Sequence, residues 1–251
     1  MGIKLLASQK MHNWKKQYKK QLSLLKILGK KKGPFRFNVA YIKVSDIASQ
    51  FYDEKKFDLE FRQPKLETEE MRRGTEGHEN LVKSKQKITL EEGWKHIFTS
   101  KKLFLAEFPL IVKYKKVPII GKPDLMIFVK GRPILLFEFK FSKYKKDYSS
   151  YHAQLRVEGL MLKELGFDTS TLLYVIIIAP SEMKKASKRL NIIPNLIFRK
   201  YIENKEKLMH YGVDEIIDNV VIYVSKFHTE LAEDDLDWAL DYWKRNRDAK
   251  D

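Results

Sequence analysis

The sequence predicts an α/β fold, and three observations carry that expectation. Residues 102–141 turn into three runs rich in β-branched and aromatic residues, separated by short turn signals. A helical stretch follows directly, beginning near Ser149. Then comes LLYVIIIA, residues 172–179, a continuous apolar run with the composition of a strand buried on both faces. The order is strand, strand, strand, helix, strand, with further helices packed around. Residues 1–100 read as an N-terminal helical region and residues 101–251 as the sheet with its C-terminal helices. The two are expected to form one compact unit, since 251 residues can bury a substantial core.

Taken in order, residues 8–32 form a basic helix with Leu22, Leu25 and Leu28 as its apolar stripe, ended by Gly33-Pro34. Its lysine clusters either touch DNA or are simply solvated. Ser45 is placed to cap a helix that starts at Asp46 and runs to Glu60, before Gln63-Pro64 breaks the pattern. A helix over 69–86 carries His78, and a short one covers 90–96. Strands follow at 103–114, 117–129 and 133–141. Ser149 or Ser150 caps the next helix and Gly166 ends it. After the apolar run come a helix at 195–210, a strand at 218–224 and a helix at 233–247. That last helix has acids in its first turn and bases in its last, matching the helix dipole, and Trp238 and Tyr242 share a face that packs.

The informative stretch is GKPDLMIFVKGRPILLFEFKF, residues 121–141. Charges inside apolar strands are costly to bury unless paired or bound to a metal. Side chains alternate along a strand, so Ile134, Leu136, Glu138 and Lys140 share one face, while Leu135, Phe137, Phe139 and Phe141 form an apolar opposite face. A three-residue loop over Lys130, Gly131 and Arg132 pairs Val129 with Pro133 and sets Asp124 opposite Glu138. A two-residue loop would set Asp124 opposite Phe139, on the wrong face. The pattern therefore predicts a cluster of two carboxylates and one ammonium.

That cluster suits phosphodiester hydrolysis. Asp124, Glu138 and the backbone carbonyl of Phe139 make a hard oxygen site suited to Mg²⁺ or Mn²⁺. Such an ion polarises a phosphoryl oxygen and acidifies bound water. Lys140 is placed to orient that water and to stabilise charge developing on the phosphate. The bland alternative is a salt bridge at a strand end. Glu107, inside the apolar run LFLAEFPLIV, supports the site from a third strand or is an edge-strand charge. Lys143, Tyr144, Lys145 and Lys146 form a basic, aromatic-bearing loop beside the site, suited to a phosphate backbone.

Pro123-Asp124 followed by Glu138-Phe139-Lys140 resembles the PD-(D/E)xK nucleases. Arg73-Gly74-Thr75-Glu76-Gly77-His78 resembles the G-x-x-x-H helix of the RecB-like exonuclease branch, and Gln154 in HAQLRVEGLML resembles its glutamine helix. The resemblance implies an αβββαβ core with a mixed central sheet flanked by helices. It also implies that His78, Asp124 and Glu138 hold the metal, that Lys140 is catalytic and that Gln154 arranges the site. The branch usually reads Q-x-x-x-Y, and Glu158 stands where the tyrosine would be, a position from which it can support the site. VSDIASQFYDEKKFDLEF, residues 44–61, resembles the start of the CRISPR-associated RecB-like exonucleases. There a cysteine of an iron–sulfur site follows the tyrosine matched by Tyr52; here that place is Asp53. The segment resembling ALDYWKRNR precedes three more cysteines in that family, whereas this sequence stops at Asp251 and contains no cysteine. No iron–sulfur cluster is expected: either this is a cluster-free relative, archaeal or viral, or the chain has been cut before those cysteines, and Asp53 in place of a cysteine favours natural loss.

Composition agrees with a polyanionic partner. Lysine and arginine total 49 against 33 acids, a formal net charge of +16 and a pI near 9.6, which attracts DNA through long-range attraction and counterion release. No run of apolar residues is long enough to span a membrane, and no signal-peptide core opens the chain, so an intracellular, cytoplasmic protein without a membrane partner is expected. The expected function is a metal-dependent DNA nuclease, an exonuclease on single-stranded DNA ends or the ends of a duplex. Self-association as a homo-oligomer would set its processivity. The alternatives are an endonuclease with the same core, of restriction or junction-cleaving type, and a non-catalytic basic DNA-binding accessory protein.

Overall fold

The computed structural model of the chain describes residues 2–30, 32–63, 88–180, 190–203, 213–217 and 219–250. Among these it is a mixed α/β structure of seven α-helices and two sheets. The helices are α1 (Gly2–Leu25), α2 (Val44–Tyr52), α3 (Glu54–Phe61), α4 (Leu90–Thr99), α5 (Ser149–Glu164), α6 (Ile193–Glu203) and α7 (Thr229–Trp243). The strands are β1 (Ile42–Lys43), β2 (Lys102–Ala106), β3 (Leu110–Tyr114), β4 (Val117–Gly121), β5 (Leu125–Val129), β6 (Arg132–Phe141), β7 (Leu173–Ala179), β8 (Val213–Ile217) and β9 (Val220–Lys226). None of the described helices is long and apolar enough to cross a membrane.

The larger sheet runs β2-β5-β6-β7-β9-β8 and the smaller β1-β4-β3. β6 and β7 are parallel, joined through α5, while the other neighbours in the larger sheet are antiparallel. Both faces of the central strands of the larger sheet are buried. Met126, Phe128, Leu136, Tyr174, Ile176 and Ile178 join the core shared with α5 and α7. Leu125, Ile127, Leu135, Phe137, Val175 and Ile177 face Ile193, Ile197 and Tyr201 of α6. Two-sided burial is why β7 reads as unbroken apolar sequence.

The expected strands at 103–114 and 117–129 are each divided. Their first and last halves belong to different sheets: β3 pairs with β4 in the smaller sheet, and β2 pairs with β5 in the larger. The two breaks coincide. Glu107 takes a positive φ of 47° and its N–H donates to the Asp124 carbonyl at 3.2 Å. Pro109 and Pro123 flank the kink, each lacking the N–H a continuous ladder would use.

The β5–β6 hairpin also differs from expectation. The loop has two residues, Lys130 and Gly131, both at positive φ (52° and 81°), as a type I′ turn requires, and Val129 pairs with Arg132. A bulge then shifts the register, with Phe128 opposite Pro133 but Ile127 opposite Leu135. The extra residue is Ile134, which joins the α6-side core with Leu135 instead of sharing the face of Leu136. Leu125 pairs with Phe137, so Asp124 still arrives beside Glu138.

Several helix ends move for local reasons. β1 runs straight into α2, which starts at Val44 with Lys43 at its N-cap, so Ser45 lies inside the helix. The expected single helix to Glu60 is broken at Asp53, whose carboxylate accepts from the Lys56 N–H at 2.9 Å and caps α3. Tyr148 occupies the N-cap of α5, so neither Ser149 nor Ser150 is the cap. At the other end Gly166 (φ 86°) follows the helix, with the Phe167 N–H returning to the Leu162 carbonyl. α7 ends at Trp243, and the bases expected in its last turn lie beyond it.

α1 buries Trp14 and Gln21, while Leu22 of the expected stripe is 41% exposed. The Gln21 amide both donates to the Ile111 carbonyl (2.6 Å) and accepts from its N–H (3.0 Å). The backbone of β3 needs those partners, and so the amide displaces the leucine from the packed face. The helix becomes 3₁₀ at Lys26–Gly29, before Gly33-Pro34 is reached. The expected helix at 69–86, with His78, the break at Gln63-Pro64 and the end of the expected helix at 195–210 fall wholly or partly outside the described residues.

Candidate active site

The kink in the ribbon and the end of β6 meet at one place. β6 presents Leu136, Glu138 and Lys140 toward α5, and the break before β5 presents Asp124. On α5, Gln154 and Glu158 are one turn apart and point at the same strand, since residues four apart lie on one helix face. The helix comes close because β4 ends in Gly121, where a Cβ would stand 3.0 Å from the Met161 sulfur.

The polar contacts are directional. Phe139 N–H donates to Asp124 Oδ2 at 2.7 Å. In an extended strand the N–H and C=O of one residue project to the same edge, so the Phe139 carbonyl faces the Asp124 side, beyond the start of β5. Gln154 Nε2 donates to Glu138 Oε2 at 2.6 Å, and Lys140 Nζ forms an ion pair with Glu138 Oε1. A longer contact of 3.5 Å joins Lys140 Nζ to Gln154 Oε1. Gln154 thus holds the carboxylate and faces the ammonium with the two ends of one amide.

Glu138 and Glu158 are 2% and 1% exposed, and Lys140 is partly open. Burial, then repulsion from Glu138, pushes the Asp124 carboxyl well above the usual range. Burial, then Glu138 and Asp124, does the same to Glu158. Burial alone would lower the Lys140 ammonium, but the charge and hydrogen bond of Glu138 outweigh it and hold it above its ordinary value. Glu158 Oε2 has no hydrogen-bond partner among the described residues. The cluster therefore gathers three carboxyl groups against one ammonium, an imbalance that a small cation would offset.

Glu107 sits in the kink. Its carboxylate pairs with Lys122 at 2.9 Å, and its charge adds to the upward push on Asp124. Lys143, Tyr144, Lys145 and Lys146 are exposed on the loop after β6; Tyr144 is 71% exposed and Lys145 contacts Asn219 Oδ1. His78 lies outside the described residues.

The residues that sequence reasoning missed are tyrosines. Tyr151 places its ring centroid 5.1 Å from Lys140 Nζ. Tyr148 and Tyr52 continue from it at the surface. The i, i+3 spacing of Tyr148 and Tyr151 at a helix start was the available signal.

Among the described residues, no three His, Cys, Asp or Glu side chains are already arranged to hold an ion. Asp124 and Glu138 are nonetheless hard oxygen donors crowded by like charge, a donor set that fits Mg²⁺ or Mn²⁺. No protein-family model matches the chain, and no curated protein matches it. Among solved structures the chain is similar to one described as "Crystal structure of SSO0001", at 12% identity and a TM-score of 0.31, covering 74% of this chain and 86% of that one.

Proposed function

We propose that this protein is a metal-dependent DNA nuclease of the PD-(D/E)xK type, acting as an exonuclease on the ends of single strands. The observation that carries the reading is the meeting of Asp124, Glu138, Lys140 and Gln154, from a strand break, a strand end and a helix, with more buried carboxyl groups than bases. A structural ion pair needs one acid and one base. This cluster adds a second and a third acid, whose burial is relieved by holding a proton or by binding a cation.

In this reading Asp124, Glu138 and the Phe139 carbonyl hold Mg²⁺ or Mn²⁺, which when bound polarises a phosphoryl oxygen and acidifies a coordinated water. Lys140 Nζ orients the attacking water and stabilises the charge that grows on the phosphate oxygens. Gln154 fixes the Glu138 carboxylate in one rotamer, and its contact with Lys140 keeps the ammonium on the same side. The N–H of Phe139 locks Asp124 in the same way, so neither acid must reorganise on binding.

The test is digestion of end-labelled linear and closed circular single-stranded DNA with Mn²⁺ or Mg²⁺, against EDTA. Linear strands are expected to be degraded from their ends and circles to survive. Cutting of circles would replace the exonuclease reading with an endonuclease on the same core. Absence of divalent-dependent cleavage on any DNA, with binding retained, would leave a DNA-binding accessory protein.

A further inference from the structure

Three tyrosines from two parts of the chain stand in series beside the candidate site. Tyr52 closes α2, Tyr148 precedes α5 and Tyr151 lies in its first turn. The Tyr52 and Tyr148 centroids are 5.5 Å apart at 61°, and those of Tyr148 and Tyr151 are 5.4 Å apart at 74°. The series ends on Lys140, 5.1 Å from the Tyr151 centroid. Exposure falls along it: Tyr52 is 59% exposed, Tyr148 and Tyr151 are half-buried, and Glu138 beyond Lys140 is buried.

Core packing does not account for Tyr52, whose ring is largely in water. An edge-to-face pair covers one face of one ring only, and at Tyr148 and Tyr151 a lysine ammonium also lies over the ring, so each ring has a covered side and a side on which a further planar group can stack. Lysines flank the series: Lys146 Nζ is 5.5 Å from the Tyr148 centroid, and Lys143 and Lys145 are exposed on the same loop. The loop is held in place. Asp147 Oδ2 bonds His152 Nε2 at 2.6 Å, His152 Nδ1 meets the Tyr174 hydroxyl at 3.0 Å, and Ser149 Oγ donates to the Phe51 carbonyl at 3.4 Å, tying the start of α5 to the end of α2.

We infer that Tyr52, Tyr148 and Tyr151 form a stacking track that takes the unpaired bases of a single-stranded DNA from the surface to Lys140, while the neighbouring lysines follow its phosphates. Aromatic faces alternating with cations are what such a strand requires, because every base has a π-face and every nucleotide a phosphate. A duplex keeps its bases stacked on each other and cannot offer them to the rings. The inference deepens the nuclease reading and rests on it for direction, since the track leads to the residue assigned to the chemistry.

Binding measured in EDTA separates the two. The probes are a fluorophore-labelled single strand, an abasic strand of the same length and a duplex, read by anisotropy against wild type, Tyr52→Ala, Tyr148→Ala and Tyr52→Phe. Wild type should prefer the single strand and lose that preference on the abasic strand. Each alanine variant should weaken single-strand binding roughly 5- to 150-fold while leaving duplex binding unchanged, and Tyr52→Phe should retain it. Equal affinity for abasic and normal strands, or a neutral Tyr52→Ala, overturns the track even if the protein cuts DNA. Tyrosine-dependent discrimination by a protein that never cuts keeps the track and removes the nuclease reading. Tyr52 is exposed enough for its replacement to leave the fold intact.

Discussion

Glu54 and Glu158 are both buried carboxyl groups, yet their surroundings differ in kind. Glu54 Oε1 accepts from Arg247 Nη2 at 2.8 Å and from the Gln50 amide, and Oε2 accepts from Arg247 Nη1 at 2.6 Å and the Lys250 N–H at 2.7 Å. Trp243 Nε1 closes the set by donating to Gln50 Oε1, and the Arg247 guanidinium lies 4.3 Å over the Trp238 ring. Burial would raise this carboxyl, but Arg247, Lys250 and Gln50 outweigh it and hold it below the usual range. Glu158 has an oxygen without a partner among the described residues and faces two further acids, and it is pushed the other way. The first cluster is neutralised by the chain itself and pins residues after α7 onto α3. The second is left with more buried carboxyl groups than bases, an arrangement that a structural ion pair does not need.

The comparison can be broken most forcefully at Arg247. Replacing it with methionine strands the buried Glu54 charge and is expected to cost about 3–5 kcal/mol in urea unfolding. Removal of Glu54 as well should recover much of that loss; if the single variant is neutral, the pair is not what holds the tail. Lys140→Ala acts on the other cluster and should lower cleavage roughly 100- to 1,000-fold with little loss of DNA affinity. Equal losses in binding and in turnover would mean that Lys140 holds the strand and not the reaction.

Glu158→Gln sharpens the contrast through stability. In metal-free buffer near neutral pH it should stabilise the fold by roughly 1–3 kcal/mol, because an acid raised by burial and like charge is favourable only while protonated. The folded state then binds more protons than the unfolded state, so wild-type stability falls as pH rises through the raised value, and the advantage of Glu158→Gln grows. Glu54 has the opposite sign. Its folded value is lowered, so its contribution is present above the unfolded carboxylate range and is lost as pH falls through the lowered value. Unfolding curves from acid to neutral pH should therefore show both variants close to wild type in acid and departing from it toward neutral pH in opposite directions, Glu158→Gln to higher and Glu54→Gln to lower stability; parallel curves would refute the distinction. The smallest effect is expected at the surface. Lys145→Ala and Lys146→Ala should each reduce the slope of log affinity against log salt by about 1, with no change in the unfolding midpoint.

Much of the candidate site was legible because strand alternation is a local rule. Glu138 and Lys140 on one face, with Phe137 and Phe139 on the other, follow from spacing alone. The approach of Asp124 to Glu138 was reached by a wrong route to the right place. The three-residue loop is absent, and a two-residue turn with a bulge at Ile134 restores the same register. Both solutions insert one residue, and burial of the apolar face selects for that count without specifying where it goes. The division of 103–114 and 117–129 was less visible, because Pro109 and Pro123 mark a break but not the change of sheet.

The helix caps show the same limit. Serines near α2 and α5 suit capping, yet β1 entering α2 directly and Tyr148 standing before α5 decide where those helices begin. By itself the sequence determined the α/β class, the strand faces beyond the bulge at Ile134 and the presence of two acids and an amine near a turn, since these depend on periodicities of two and 3.6 residues. Only the tertiary structure decided that Glu158 faces Asp124 and Glu138, that Arg247 neutralises Glu54, and that Tyr52 continues the line of Tyr148 and Tyr151. Those contacts join elements far apart in the chain, and their energies depend on burial and distance, which no local pattern encodes.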